Sequence, residues 1–402
     1  MDCSIVKAAG PLSGIRVLEF CQVAAGPFCG MLFADLGADV IKIEGQGGDS
    51  MRQWPPFNHG YSENFASLNR SKRSIVLNLK SPEERDLALK LVRDADIVLE
   101  NNRPKVMERL GLGYAALAEI KPDLVYCSIS AFGQTGPRAT EGGFDLTIQG
   151  VAGVMSVTGE PGAPPVKCGV PISDFTAGLY AAYAALAALF DARRTGKGAH
   201  IDVPMMGVTL GVSALQTSQY FGSGIDPGPL GSAHPRNAPY QAFEAGDGYF
   251  VMAAGNDKLW ISVCEITGLT RLASDSRFKT QLDRATNQRA LKDLIEVVFR
   301  TQPVAHWLRL LAAAGVPSGP INSISQALAD PQVAHAGWVS QLELPGGGVT
   351  RTFGWPVGIS GWVGPDIRSP PALDEHGADI RAELLASARR SNAVEADKAN
   401  GQ

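Results

Sequence analysis

The sequence predicts an α/β protein with a parallel sheet, and three observations support this prediction. Short runs rich in Val, Ile and Leu alternate with helical runs through the first 200 of the 402 residues. The segments between these runs are long enough for helices that cross over between parallel strands. A Gly- and Pro-rich break over 222–239 is then followed by a second, smaller set of elements. A chain of this length can form two or three domains.

The first region contains six buried strands, which are predicted over 15–20, 39–44, 74–79, 96–100, 124–130 and 199–204. Helices are predicted from Pro27 to about 36, over 82–93, from Pro104, from Asp174 to about 194, and on to about 220. Pro27 and Pro104 are interpreted as first helical residues, where the missing N–H of proline needs no partner. The Ala-rich helix from Asp174 is apolar nearly all round, which predicts burial against the sheet or another subunit.

The break over 222–239 is the predicted hinge of the molecule. It is followed by a predicted hairpin over 240–254 that turns at Gly246-Asp247-Gly248, and by helices near 257–266, 287–300 and 303–314. We therefore assign residues 1–221 to a large domain and 222–330 to a smaller α+β domain. The polar tail from Ser387 onward is predicted to fray.

Composition excludes several classes of protein. The net charge is -4 with both signs interspersed, which is not the basic face of a nucleic-acid binder. The N-terminus shows no basic region followed by an apolar one, so export is not expected, and the most apolar stretch, 177–190, is shorter than the roughly 20 residues that span a bilayer. The six Cys lack CxxC spacing and the six His lie far apart, so we expect no metal. A cytoplasmic enzyme that does not bind membranes is predicted.

The motifs for nucleotide cofactors are absent. The sequence contains no GxGxxG and no GxxxxGK[ST], so no nucleotide redox cofactor is predicted. Neither HExxH nor GxSxG is present. Generic motifs alone therefore indicate only an α/β enzyme of unknown chemistry.

A set of short phrases in a fixed order carries the functional prediction. The phrases are 11–20 (PLSGIRVLEF), 25–27 (AGP), 36–44 (LGADVIKIE), 72–74 (KRS), 79–80 (LK), 100–104 (ENNRP), 108–111 (ERLG), 143–145 (GFD), 173–174 (SD), 195–198 (TGKG), 315–322 (GVPSGPIN) and 330–332 (DPQ). Together they closely resemble the class III CoA-transferase family, which includes formyl-CoA transferase and α-methylacyl-CoA racemase. The resemblance extends over about residues 11–385.

The resemblance implies a particular architecture. In that family a Rossmann-like large domain is built from both ends of the chain, so residues 331–402 are expected to return to the large domain. Two subunits interlock around the smaller domain, which implies an interlocked homodimer. The substrates implied are coenzyme A thioesters and carboxylic acids.

Asp174 is the predicted catalytic residue. By position alone, an Asp before an Ala-rich helix is most often an N-cap. A helix N-terminus also favours the charged carboxylate that a nucleophile requires. The resemblance implies that Asp174 attacks the donor thioester, which gives a mixed anhydride and then an aspartyl-CoA thioester.

Phe144 favours the transferase branch over the alternative, an α-methylacyl-CoA racemase or epimerase. The racemase branch carries a His at this position and uses it to exchange the α-proton, and a Phe cannot transfer a proton. Taken by itself, a Phe at position 144 is more commonly a residue packed in the core. Asp145 is expected to orient the site or to cap a helix, and both residues are assigned to the CoA site.

Binding of CoA is assigned by resemblance to Leu77, Lys80, Asn101, Asn102, Arg103 and Arg109. Lys80 and Arg109 can pair with phosphates, and Arg103 precedes the predicted helix at Pro104, whose free N–H groups suit anions. For each single charge the alternative is a solvated surface residue. Asn102 replaces an aromatic residue of some relatives, which removes adenine stacking there.

Differences from formyl-CoA transferase indicate which carboxylic acid the enzyme uses. That enzyme carries Gln at the position of Ala24, Arg at Gly45 and Lys at Gly142, which argues against an oxalate or formate enzyme here. We expect succinyl-CoA as donor and a dicarboxylate or hydroxy acid as acceptor. The stretch 228–240 is the expected lid, and His234 and Arg236 within it are candidates to contact the acceptor carboxylate.

Overall fold

The computed structural model describes residues 10–386, so the predicted frayed tail from Ser387 lies outside the described residues. Within this range the chain forms two compact units. The first comprises 10–154, 168–218 and 332–386, and the second comprises 155–167 and 219–331.

The strands are β1 (Arg16–Phe20), β2 (Asp39–Glu44), β3 (Phe57–Asn58), β4 (Tyr61–Ser62), β5 (Arg73–Val76), β6 (Ile97–Glu100), β7 (Val125–Ser130), β8 (Ala199–Pro204), β9 (Tyr240–Ala245), β10 (Gly248–Ala253), β11 (Ser318–Pro320), β12 (Val339–Glu343) and β13 (Val349–Phe353). The helices are α1 (Ala25–Asp35), α2 (Glu63–Asn69), α3 (Pro82–Arg93), α4 (Val106–Arg109), α5 (Tyr114–Ile120), α6 (Asp145–Val151), α7 (Ile172–Thr195), α8 (Met205–Val212), α9 (Ala214–Ser223), α10 (Asp257–Thr267), α11 (Gln281–Thr286), α12 (Gln288–Phe299), α13 (Val304–Ala313), α14 (Ile324–Leu328) and α15 (Pro331–Ala336). Short 3₁₀ turns cover Ser50–Gln53, Val154–Ser156 and Thr270–Ser274.

The first unit is built on a six-stranded sheet in the order β5-β2-β1-β6-β7-β8. Every pairing in it is parallel. Counted along the chain, these six strands lie in the order 3-2-1-4-5-6, which is the order of Rossmann-type sheets. The predicted α/β fold with a parallel sheet is confirmed.

Both faces of this sheet are buried, as parallel sheets require. Alternate residues of β1 point to opposite faces: Val17 joins a cluster with α1 and α7, and Leu18 joins one with α3 and α5. The strands therefore read as continuous apolar runs, which made them visible in the sequence.

Helix α7 is 24 residues long, so the prediction that this apolar segment is too short to span a bilayer was wrong. Its mean hydropathy of 1.3 also passes the test of length and composition for a membrane span. However, Ala177, Ala181 and Ala185 pack in the core at helical spacing, and a core helix of a soluble protein passes the same test. Within one chain only one side of the helix is buried, because Tyr183 and Phe190 on its other side are exposed.

The second unit is a three-stranded antiparallel sheet, β11-β10-β9, covered by helices. Phe243, Phe250 and Phe299 meet in its core, and the predicted hairpin is present as β9 and β10. The ring of His234 stacks on Tyr240 with centroids 5.1 Å apart, and its Nδ1 accepts two backbone N–H groups of its own loop. Its contact with an acceptor stays a prediction.

Three local predictions were wrong. Helix α1 begins at Ala25, so Pro27 is its third residue, still within the first turn that tolerates proline. Pro104 starts no helix, because Lys105 takes a left-handed conformation (φ +68°) and α4 begins at Val106. The strand predicted over 74–79 ends at Val76, since the chain turns over 78–81.

Candidate active site

A cavity of about 630 Å³ opens at the carboxyl edge of the parallel sheet. It lies where the strand order reverses between β1 and β6, the position at which open α/β sheets bind ligands. The residues that line it are Gln22, Val23, Ala24, Ala25, Ser50, Asn101, Asn102, Arg103, Pro104, Ile129, Ser130, Ala131, Glu141, Gly142, Gly143, Phe144, Thr147, Asp174 and Met205. All of them belong to the first unit.

The loops that follow β1 and β6 are tied together at the switch point. The backbone N–H of Gln22 donates to Oδ1 of Asn101 at 2.9 Å, and Nδ2 of Asn101 donates to the carbonyl of Gln22 at 2.8 Å. One side chain thereby satisfies both backbone groups of a cavity residue. Asn101, predicted to bind CoA, thus also holds the opposite wall.

Asp174 lines the cavity from the first turn of α7. It is not the N-cap that position alone predicted: the cap is Pro171, α7 begins at Ile172, and no side chain caps it. The carboxylate is therefore not committed to bonding its own helix backbone, and it is only partly buried. This leaves it available to react with a bound molecule.

The electrostatic surroundings of Asp174 oppose its ionisation. Burial raises its pKa from an ordinary value of 3.8 to about 7, and the negative charge of Asp145 adds to the rise. The prediction that the helix N-terminus stabilises the charged form describes a smaller effect, typically about 0.3–1 kcal/mol. Near neutral pH the nucleophile candidate is thus poised between its two protonation states.

Asp145 holds the backbone beside Asp174. It is the first residue of α6, and its Oδ1 accepts the backbone N–H of Ser173 at 2.9 Å. Its Oδ2 accepts from Nε2 of Gln149 at 2.7 Å, and Oε1 of the buried Gln149 accepts the N–H of Cys168. Asp145 therefore fixes the start of α7 while it raises the energy of the ionised Asp174.

Phe144 is 72% exposed and lines the cavity, so core packing does not explain it. Arg103 lies on the wall with its guanidinium against Gly142, where an added Cβ would lie 2.9 Å from its Nη2. Among the described residues lining the cavity, Arg103 is the cationic one. The Gly at position 142, noted as a departure from formyl-CoA transferase, makes the room that this side chain occupies.

The structure brings together Asn101, Asn102, Arg103, Phe144 and Asp174 on the cavity wall. Asp145 lies behind it, in contact with Ser173. Three residues assigned to CoA binding lie outside the cavity: Leu77 is buried in the core, and Lys80 and Arg109 are exposed. No helix starts at Pro104, because α4 comprises Val106–Arg109. The anion site predicted at the start of a helix beside Arg103 was therefore wrong.

Several lining residues were missed. Gln22, Val23, Ser50 and Thr147 are short or uncharged and carry no chemical signal of their own. The charged residues inside apolar strands, such as Glu19 in β1 and Lys42 in β2, are the signal that could have indicated a structured loop above them. Among the described residues, no three His, Cys, Asp or Glu side chains are grouped as metal ligands would be.

A Rossmann-ordered sheet with a carboxylate on its switch-point cavity is the arrangement expected of an enzyme that acts on a nucleotide-bearing substrate. The chain belongs to the CoA-transferase family III, whose model matches residues 12–377. It is a class III CoA-transferase, as the ordered phrases predicted.

Relatives with assigned activities cover nearly the whole chain. It is 41% identical over 382 residues to the succinate–glutarate CoA-transferase of Agrobacterium fabrum, covering 93% of this chain and 96% of that protein. It is 42% identical over 383 residues to the acetyl-CoA:oxalate CoA-transferase of Acetobacter aceti, covering 94% and 97%. A CAIB/BAIF family protein from Brucella suis matches in structure with a TM-score of 0.84 and 41% identity, covering 94% of this chain and 100% of that one.

Proposed function

We propose that this enzyme moves CoA from an acyl-CoA donor such as succinyl-CoA to a dicarboxylic acid, through an aspartyl-CoA thioester on Asp174. The observation that carries the proposal is a partly buried carboxylate of raised pKa on the wall of the switch-point cavity. Strongly perturbed carboxylates in clefts are frequent at catalytic sites. The names of the Agrobacterium and Acetobacter relatives support CoA transfer between acids.

The proposed reaction consists of two attacks and their reversal. An oxygen of the Asp174 carboxylate attacks the thioester carbon of the donor; the C–S bond breaks, CoA leaves as the thiolate, and a mixed anhydride remains. The thiolate then attacks the aspartyl carbonyl carbon and expels the donor acid as its carboxylate. The acceptor carboxylate attacks the carbonyl carbon of the aspartyl thioester, which releases the CoA thiolate and forms a second mixed anhydride. The thiolate then attacks the acceptor carbonyl carbon of this anhydride, which gives the new acyl-CoA and restores the Asp174 carboxylate.

The environment of Asp174 suits this cycle. Burial and Asp145 destabilise the ionised carboxylate, and the charge of that carboxylate disappears when it becomes an anhydride or thioester. The unfavourable charge is thus present on Asp174 in the ionised form that attacks and absent from Asp174 in the covalent intermediates. Such relief favours acylation, provided that water is kept from the intermediate.

The acceptor is proposed to be a dicarboxylate. Glutarate and oxalate, named for the two relatives, both carry two carboxylates, so one can react while the other is bound by a cation. Arg103 is the cavity residue with the charge for this, or for a phosphate of CoA. The oxalate relative weakens the earlier argument against oxalate, which therefore belongs among the acids tested.

We also propose that the active molecule is a homodimer. The exposed Leu179, Tyr183 and Phe190 form an apolar strip on α7 that a second copy can cover. The family resemblance supports the same assembly. Analytical ultracentrifugation would detect it as a species of twice the 42.4 kDa chain mass, whereas a single species of the chain mass would contradict it.

The test of the proposed function is a transfer assay. Purified enzyme is mixed with succinyl-CoA and, in turn, glutarate, oxalate and acetate, and the acyl-CoA products are separated by mass. We expect new thioesters from the dicarboxylates and none of them with Asp174→Ala. A wild-type enzyme that forms no new thioester, yet exchanges the α-hydrogen of a 2-methylacyl-CoA in deuterated water, would overturn the proposal.

A further inference from the structure

The loop between β1 and α1 contains an unusual backbone conformation on the cavity wall. Val23 has φ +66°, the left-handed region, although it is neither Gly nor Asn. For a β-branched residue this conformation is strained and persists only where its surroundings enforce it. Because Val23 lines the cavity, the surroundings that enforce it also shape the site.

A buried ionic network lies beneath this loop. Nζ of Lys42 is 2.9 Å from Glu19 and 3.0 Å from Asp49, and Nζ of Lys72 is 2.7 Å from Glu19. All four side chains are 0% exposed. The network contains two carboxylates and two ammonium groups, so its charges balance. It has no opening for a substrate and so takes no direct part in transfer.

The network holds the loop by its backbone. Lys42 donates to the carbonyl of Cys21 at 2.8 Å, and Asp49 accepts the N–H of Val23 at 3.2 Å. Between these anchors, Asn101 satisfies both backbone groups of Gln22. Lys42 and Asp49 thus bind the backbone on either side of Gln22 and hold Val23 in the left-handed conformation.

The turn is also coupled to Asp174. Helix α1 begins two residues after Val23, and the carbonyl oxygen of Ala25 lies close to Gly178, one helical turn beyond Asp174. A Cβ at Gly178 would lie 2.7 Å from that oxygen, so the two helices meet with no space between them. The ring of Phe28 also packs on Phe175, with centroids 4.8 Å apart. A shift at the start of α1 is therefore transmitted to the turn that carries Asp174.

We propose that Lys42 and Asp49 are positioning residues for CoA transfer, which hold the strained Val23 turn and, through α1, the nucleophile Asp174. This inference rests on the proposed function of Asp174. Asp49 also accepts the N–H of Met51 and so caps the turn that carries the lining residue Ser50, but an amide oxygen at position 49 keeps that bond. What Asp49→Asn removes is the charge that faces Lys42, and the effect of that charge passes through the Val23 turn. Removing the need to enforce that turn should therefore remove the need for Asp49.

The test is a double-mutant cycle on Asp49→Asn and Val23→Gly. Asp49→Asn keeps the shape of the side chain but replaces the negative oxygen that faces Lys42 with an uncharged NH2 group, which is itself a donor. The ion pair with Lys42 is therefore lost. Glycine adopts positive φ without strain, so the turn no longer depends on Asp49 in the Val23→Gly background. We expect Asp49→Asn to lower kcat by roughly tenfold to a hundredfold alone, and by about threefold or less in the Val23→Gly background.

A matched control separates positioning from general stability. Asp35 forms a similarly buried pair with Arg70, at 2.6 Å, at the far end of α1. Asp35→Asn should lower the thermal midpoint much as Asp49→Asn does while leaving kcat within about twofold at a temperature where both are folded.

Two outcomes decide the inference. Equal kcat penalties for Asp49→Asn in both backgrounds, or equal losses in Asp49→Asn and Asp35→Asn, would show a purely structural network and overturn it. Asp174→Ala is measured in parallel: full activity of that variant would refute the proposed function itself. An inactive Asp174→Ala together with additive Asp49 and Val23 effects would refute the positioning role alone.

Discussion

Two pairs of carboxylates lie near the switch point, and they differ in the charges that surround them. Glu19 and Asp49 contact lysines that are equally buried, so their charges are matched within about 3 Å. Burial alone would lower the pKa of Lys42, but these carboxylates outweigh burial and the pKa is raised. Burial raises the pKa of Asp174, and its charged neighbour is another carboxylate, Asp145, which adds to the rise, so the pKa reaches about 7.

The difference separates structure from chemistry. A buried charge that is paired fixes its surroundings and stays ionised. A buried charge that is unpaired has a higher energy, which a reaction that neutralises it can release. In this protein the paired group lies under the cavity, and the unpaired carboxylate lies on its wall.

The largest expected effect is that of replacing the Asp174 carboxylate. Asp174→Asn has nearly the same shape but cannot form the mixed anhydride, so kcat for succinyl-CoA to glutarate transfer should fall by about 10⁴-fold or more. The measurement is product formation by mass-resolved chromatography, with CoA binding followed by calorimetry. Binding should persist, because this change leaves the rest of the cavity intact. A variant with a tenth of the wild-type rate would show that Asp174 is not the nucleophile.

The close approach of α1 and α7 supplies the next test. Gly178→Ala places a methyl group against the carbonyl oxygen of Ala25 and should displace the turn that carries Asp174. We expect kcat to fall on the order of a hundredfold, because small misplacements of reacting groups are costly. Gly196→Ala, at the C-cap of the same helix, is the control for a glycine change far from Asp174 and should affect stability rather than kcat. Wild-type kcat in Gly178→Ala would remove the proposed coupling between the helices.

Arg103 tests whether the cavity reads an anion. Arg103→Leu should raise the KM of one substrate by about tenfold, since one charge-assisted pair is lost, with Arg103→Lys retaining part of the affinity. A change in the KM of glutarate assigns Arg103 to the acceptor carboxylate, and a change in the KM of succinyl-CoA assigns it to CoA. Unchanged KM values for both substrates would make Arg103 a surface residue, the alternative that the sequence left open.

Removing the charge of Asp145 tests its contribution to the raised pKa of Asp174. Asp174 must be ionised to attack, so kcat/KM should rise with pH through a midpoint near the pKa of about 7. Asp145→Asn removes the negative neighbour and should move that rising limb to lower pH, although burial still holds it above 3.8. Lys80→Met, a change to an exposed residue outside the cavity, should leave the midpoint in place. A limb that Asp145→Asn does not move would exclude Asp145 as a cause of the raised pKa.

The smallest effect concerns stability. Since folding raises the pKa of Asp174 from 3.8 to about 7, the native state binds its proton more tightly than the unfolded state. Stability is therefore lost as the pH rises from about 4 to about 7, and the loss persists above pH 7. Asp174→Asn should therefore be more stable than the wild type at pH 8, by about 1–2 kcal/mol, and the gain should fade as the pH falls toward 4. Chemical denaturation at the two pH values measures this. A gain that is equal at both pH values would contradict the unpaired charge.

The sequence predicted the sheet because its strands are buried on both faces. Runs such as VIKIE in β2 and VYCSIS in β7 are apolar enough to be recognised without their neighbours. Family phrases then identified Asp174, Asn101 and Arg103, all of which line the cavity. The strand residues are set by local burial, and the three cavity residues were recognisable because they lie within the family phrases.

What the sequence could not predict depends on contacts between distant segments. The left-handed turn at Val23 is imposed by Lys42 and Asp49 from the next strand and its loop, and no local pattern encodes it. The raised pKa of Asp174 arises first from burial and then from the charge of Asp145, 29 positions earlier, so position in the helix gave the opposite expectation. The start of α7 likewise moved from Asp174 to Ile172.

Trapping of the covalent intermediate would identify the nucleophile. Enzyme is incubated with succinyl-CoA and hydroxylamine without an acceptor, digested, and mapped by peptide mass spectrometry; hydroxylamine converts a reactive aspartyl thioester or anhydride into a hydroxamate. We predict a hydroxamate on Asp174 alone, dependent on succinyl-CoA and absent from Asp174→Asn. The assignment of Asp174 as nucleophile would be contradicted if the enzyme turns over glutarate while the Asp174 peptide stays unmodified. A hydroxamate on a different carboxylate would contradict it as well.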